Sequence, residues 1–147
     1  MKLQRGVVPL LILSLAACAG PRMPWQRDDP SLDPIHAAYQ TLMSNYVDAP
    51  SPVLLLSAAY EGSRQVLADA GVRDGQLQPP AWTNGEGANW DRFLNAYGQI
   101  TDKYGKQVGS DKLEYAAING MASSLKDCQT RFFDPGAMKE RQDAAAS

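Results

Sequence analysis

Residues Leu56–Asp69 read LSAAYEGSRQVLAD, and residues Glu114–Pro135 read EYAAINGMASSLKDCQTRFFDP. Both carry Ala-Ala-x-x-Gly inside a run of helical apolar spacing, where glycine costs about 0.5–1 kcal/mol relative to alanine. The two stretches align without a gap at an offset of 58: Ala58 and Ala59 fall on Ala116 and Ala117, Gly62 on Gly120, Leu67 on Leu125 and Asp69 on Asp127. The match continues upstream, with Leu55 on Leu113, Tyr46 on Tyr104, Tyr39 on Tyr97 and Ala38 on Ala96. Ile35 pairs with Phe93 and Leu42 with Ile100. Two copies are too few for a solenoid. They predict an all-α fold, two duplicated helical hairpins forming one compact four-helix domain.

Each copy reads as helix, turn, helix. In the first, Asp33 is placed to cap and Pro34 to open the helix, and Ile35, Ala38, Tyr39, Leu42, Met43 and Tyr46 form a stripe at three-and-four spacing. VDAPSP then breaks the chain, Ser51 caps, Pro52 opens the second helix, and Gly71 closes it. The second copy begins near Asn89 with Phe93, Ala96, Tyr97, Ile100 and Tyr104. GKQVGS is its turn and Ser110 its next cap. In both second helices the two alanines and the glycine leave a face of small side chains, which lets another helix approach closely. Dispersion and burial gained there offset the helix-propensity loss. The spacing therefore predicts that Gly62 and Gly120 face the crossing point of their hairpins, with Ala58, Ala59, Ala116 and Ala117 beside them and the four tyrosines packed around it. Neither glycine opens a helix, which a phosphate cradle requires.

The segment between the copies, GVRDGQLQPPAWTNGEGANW (Gly71–Trp90), is loop by its Gly, Pro and turn dipeptides. Its Trp82 and Trp90 have two readings: covers for the edge of the core, or anchors for a partner protein.

The N-terminus lies outside this pattern. Lys2 and Arg5 precede the apolar run VVPLLILSLAA (Val7–Ala17), which is shorter than the roughly 20 residues of a spanning helix. It reads as a secretory signal peptide over residues 1–17. LAAC, ending at Cys18, resembles a bacterial lipobox. That resemblance implies a lipidated Cys18 heading the mature chain, with enough acyl chains for stable attachment. Residues 18–32 then serve as a Pro- and charge-rich tether, residues 33–134 as the helical domain (repeats 35–69 and 93–127) and residues 135–147 as a polar tail. The expected location is exported and membrane-anchored, on the periplasmic or cell-surface side. Ala19 and Gly20 carry no acidic retention signal, which leaves an outer membrane open.

The formal charge of −2 falls near −4 once the leader with Lys2 and Arg5 is removed. No basic patch interleaved with aromatic residues appears, which argues against nucleic acid as a partner. Cys128 is the one thiol besides Cys18 and cannot staple the fold by itself. His36 is the single histidine and has no carboxylate cluster around it, so no metal or other cofactor is expected. Ser123-Ser124-Leu125-Lys126 has the S-x-x-K spacing, which would place Ser123 and Lys126 on one side of a helix. The companion motifs of that nucleophile are missing, so no catalytic residue is assigned.

Taken whole, the end of the second copy, YAAINGMASSLKDCQTRFFDPGAMKE, resembles the stretch that closes the N-terminal helical region of the carboxyl-terminal processing proteases, exported serine peptidases with a PDZ domain and a Ser/Lys dyad. Ala117, Gly120, Met121, Leu125 and Asp127 match the helical part of that pattern. Thr130, Arg131, Phe132, Phe133 and Pro135 match the part after the helix, and YQTLMSNYVD (Tyr39–Asp48) is similar to the family's first helix. The resemblance spans roughly Ile35–Lys139. It departs at Cys128-Gln129, where the family has Pro-His. The family's PDZ and catalytic domains lie downstream of the matched region, so no residue here inherits the nucleophile or the lysine.

The resemblance implies a non-catalytic membrane lipoprotein that binds a partner protein through this helical domain. Two alternatives stand beside it. One is the N-terminal part of a serine endopeptidase acting on exported proteins. The other is a structural helical lipoprotein without the kinship.

Overall fold

The computed structural model describes residues 32–46, 48–127 and 129–146. Cys18 and Cys128 lie outside the described residues, as do the leader and nearly all of the tether. The fold is all-α, with five helices in order: α1 Leu32–Asn45, α2 Pro52–Asp69, α3 Glu86–Val108, α4 Ser110–Ser124 and α5 Pro135–Ala145.

The most extensive contact joins α2 to α4, the two helices with the small-residue face. A Cβ built on Gly62 would sit 2.3 Å from the Ala116 carbonyl oxygen and 3.4 Å from the Gly120 Cα. A Cβ on Gly120 would sit 2.3 Å from the Ala58 carbonyl oxygen. The arrangement is reciprocal, each glycine receiving the other helix's backbone where its own side chain would stand. Ala59 and Ala117 are fully buried beside the crossing, and the Ser63 hydroxyl ties the helices by donating to the carbonyls of Ala59 and Leu113, both at 3.2 Å.

Packing then runs mainly between copies, although α3 also meets α4 within the second copy. Helix α3 lies on α2 and α1 on α4, whereas α1 and α2, neighbours in sequence, do not pack closely. The reason lies in the crossing: once α2 and α4 are joined face to face, the first helix of each copy covers the flank of the other copy's second helix. Equivalent residues thereby meet in one core, with Ile35 and Phe93, Tyr39 and Tyr97, Leu55 and Leu113 all buried.

The turns depart from the sequence reading in four places. Helix α1 starts at Leu32, which puts Asp33 inside the first turn instead of at the cap. Ser51 occupies the N-cap position of α2 without a side-chain cap bond, and Pro52 opens the helix. Helix α3 starts at Glu86 rather than near Asn89, with an acidic first turn that suits the helix dipole. GKQVGS is not a six-residue turn. Helix α3 runs on through Val108, Gly109 alone breaks the chain at φ +100°, and Ser110 is already the first residue of α4. Gly105 permits this tight passage, because a Cβ there would stand 3.0 Å from the Ser110 hydroxyl.

Gly71 closes α2 at φ +77°. Its N–H donates to the Ala68 carbonyl at 2.9 Å and that of Val72 to the Leu67 carbonyl at 2.8 Å, a Schellman motif with the accompanying Leu67–Val72 apolar pair in the core. The polar tail also gains a helix. The Asp134 side chain accepts from the Ala137 N–H at 2.9 Å and Pro135 takes the first position, so α5 forms, but it buries no residue.

Candidate functional site

Tyr46 and Tyr104 do not pack into the small-residue crossing. Each is half-buried and reaches a carboxylate in the loop that follows the other copy's second helix. Tyr104 donates to Asp74 Oδ2 at 2.6 Å, where Lys103 Nζ also binds at 2.6 Å, and Asp74 Oδ1 accepts from the Gln76 N–H at 2.9 Å. Tyr46 donates to Asp127, which also accepts from the N–H groups of Gln129 and Thr130. One tyrosine per copy thus holds the Asx turn of the other.

The Lys103 ammonium, then the Tyr104 hydroxyl, hold the Asp74 carboxyl at about 2, and the Tyr46 hydroxyl does most to hold Asp127 at about 2. Carboxyls with depressed values stabilise the fold fully above their unfolded values, and that contribution is lost as pH falls through the folded ones. Thermal melts between pH 6 and pH 2 should therefore show stability falling below about pH 4. Substituting Tyr46→Phe together with Tyr104→Phe should make that acid slope shallower, Lys103 still holding Asp74, and an unchanged slope would mean the two tyrosines do not couple these carboxyls to folding.

Two of the surface hollows among the described residues are lined by clusters of aromatic rings. The first is an apolar trough of about 410 Å³ lined by Pro34, Tyr115, Ile118, Phe132, Phe133 and Met138, with Glu114 and Pro135 at its margin. Tyr115 and Phe132 meet at 5.9 Å between ring centroids, and the Arg141 guanidinium lies over Phe133 at 4.3 Å. Met138 is 45 % exposed, one of the two large apolar side chains left open to solvent among the described residues. Phe132 and Phe133 are legible as apolar residues in the sequence. Met138 is not legible in the polar tail, because α5 supplies one large apolar residue and no stripe.

The second hollow, of about 470 Å³, is lined by His36, Tyr39 and Gln40 of α1 and by Glu86, Gly87, Trp90 and Asp91 of α3. Trp90 lies 4.8 Å from the His36 ring, 5.3 Å from Tyr39 and 5.5 Å from Phe93, which stacks on Tyr97. Trp90 therefore covers the core edge and also faces the hollow. Trp82 is half-buried against the core and lines neither hollow. Tyr39 donates to Glu86 Oε1 at 3.1 Å; burial first, then this bond, push its phenol above the ordinary tyrosine range. The residue that positions this rim is Asn89, one turn into α3 and 1 % exposed. Its Oδ1 accepts from the Thr83 N–H at 2.8 Å and its Nδ2 donates to the Thr83 carbonyl at 2.7 Å.

The S-x-x-K spacing does not survive as a helical pair. Helix α4 ends at Ser124, and Lys126 turns into the left-handed region at φ +54°, so Ser123 and Lys126 do not share a helix face. No group of three metal-ligating side chains occurs among the described residues, and His36 is engaged with Trp90 and with Gln40 at 3.3 Å. No helix among the described residues is long and apolar enough to cross a membrane. No family model, no curated protein and no solved structure matches the chain.

Proposed function

We propose that the chain is a membrane-anchored, exported lipoprotein that performs no reaction in its helical domain and binds a partner protein through it. The observation that carries this reading is the apolar trough between α4 and α5, where aromatic rings and an exposed methionine border a helix that buries nothing. Methionine-bordered surfaces adapt to the shape of what they bind, and a helix without buried residues has little to hold it unless something packs on it. The resemblance of Glu114–Pro135 to the region preceding the PDZ and catalytic domains of the carboxyl-terminal processing proteases points the same way. The same stretch favours the second reading, the N-terminal part of such a serine endopeptidase. The codons after Ser147 separate the two, since the second reading requires an open frame encoding a PDZ domain.

Photo-crosslinking from position 138 in intact membranes should give one discrete adduct, absent when the probe stands at exposed Gln65 on α2. Adducts at neither position, or the same set at both, would remove the trough from the reading. Anchoring is tested separately. Cys18→Ala should move the protein from the membrane to the soluble fraction, and retention on the membrane would refute lipidation there.

A further inference from the structure

Helices α1 and α3 meet through side chains, the His36 and Tyr39 rings on Trp90 and the Tyr39 hydroxyl on Glu86, and the hollow they border carries more than apolar surface. Its lining combines three aromatic rings, those of His36, Tyr39 and Trp90, with two carboxylates, Glu86 and Asp91. No lysine or arginine lines it. Arg92, next in sequence, is committed elsewhere, its guanidinium donating to the Ala81 carbonyl at 2.6 Å. The carboxylates come from one turn and a half of α3, and Trp90 lies between them in sequence, so negative charge and aromatic rings share one opening.

From this juxtaposition we propose that the hollow binds an organic cation, an ammonium or guanidinium group on an apolar stem. Ring quadrupoles attract a cation over their faces, and tryptophan does so best. Glu86 and Asp91 supply the counter-charge, and the apolar stem covers the aromatic lining as water leaves. Glu86 is held in place by the Tyr39 hydroxyl on Oε1, which leaves Oε2 for the ligand. The same chemistry occurs on a lysine or arginine side chain of a polypeptide and on a free alkylamine. The proposal is independent of the α4–α5 trough and stands if no protein docks there.

Titration of the full-length chain in micelles, read from the Trp90 indole N–H resonance, tests it. The resonance is assigned with Trp82→Phe and Trp25→Phe. The probes are the peptide Gly-Gly-Lys-Gly-Gly, cadaverine, and the neutral control Gly-Gly-norleucine-Gly-Gly. A saturable shift with a cationic probe and none with norleucine is expected, weakening as salt rises. Tighter binding of the peptide assigns the cation to a polypeptide, and tighter binding of cadaverine to a free amine. Glu86→Gln keeps the acceptor for Tyr39 and removes only the charge, and Asp91→Asn does the same at an exposed position. Each should weaken binding about threefold, and the pair about tenfold. Equal response to norleucine, no response to either cation, or full affinity in the double variant with its helical signal intact would each overturn the assignment.

Discussion

Gly62→Ala should destabilise the domain by about 3 kcal/mol, and Gly120→Ala should do the same. The direction runs against intrinsic preference, since alanine in a helix interior is worth up to about 1 kcal/mol more than glycine. What decides it is the atom the new methyl meets. In both cases this is a backbone carbonyl oxygen of the opposite helix at 2.3 Å, far inside van der Waals contact, and a backbone atom has no rotamer by which to yield. The helices must separate, and separation uncovers Ala59 and Ala117 and stretches the Ser63 bond to the Leu113 carbonyl. Because either substitution already moves α2 from α4, the double variant should lose less than the sum of the two. Gly87→Ala is the control. Nothing lies within 4 Å of a Cβ there, so the substitution in the first turn of α3 should be neutral or slightly stabilising. Urea denaturation of these variants beside wild type measures all of this. Stability unchanged in Gly62→Ala would mean that α2 and α4 do not meet at these glycines.

The duplicated Ala-Ala-x-x-Gly made the all-α class and the close approach of a helix at Gly62 and Gly120 readable, because small side chains at fixed helical spacing have one economical use in a packed core. That the approaching helix is the other copy's second one was not readable. The reciprocal packing of α1 on α4 and α3 on α2 was not readable. An apolar stripe states that a helix buries one face and does not name the helix it lies on. The α3–α4 junction misled for a similar local reason: Gly105 and Gly109 are both turn formers in sequence, and only Gly109 adopts positive φ. Among site residues, Trp90 was legible as an aromatic residue of uncertain exposure. Glu86 and Asp91 were not singled out, since their significance comes from His36 and Tyr39, roughly fifty positions away in the chain and adjacent in space. Charge becomes informative only after folding places it beside rings.

The second large effect is expected at Asn89, and its sign with pH is diagnostic. The amide joins the backbone N–H and carbonyl of Thr83 as a neighbouring strand would, accepting from one and donating to the other, with the side chain 1 % exposed. Asn89→Ala leaves both Thr83 groups without that partner and opens a void, a loss of about 2–3 kcal/mol. Asn89→Asp separates the two bonds. An ionised carboxylate still accepts from the Thr83 N–H but faces the Thr83 carbonyl with no proton to give it. Protonated, the carboxyl restores both bonds. Burial and the facing carbonyl therefore raise the folded-state value of the introduced carboxyl above its unfolded value. A group raised in this way contributes stability that is complete below its unfolded value and lost as pH rises through the folded one. Measured against wild type at each pH, so that the losses at Asp74 and Asp127 cancel, Asn89→Asp should be close to wild type near pH 4 and about 3 kcal/mol worse at pH 7. Trp90, one residue along and packed against His36 and Tyr39, reports the same change by fluorescence. A penalty equal at both pH values would show that the Nδ2 bond to Thr83 does not hold the loop to α3, and that the rim bearing Glu86 is positioned by something else.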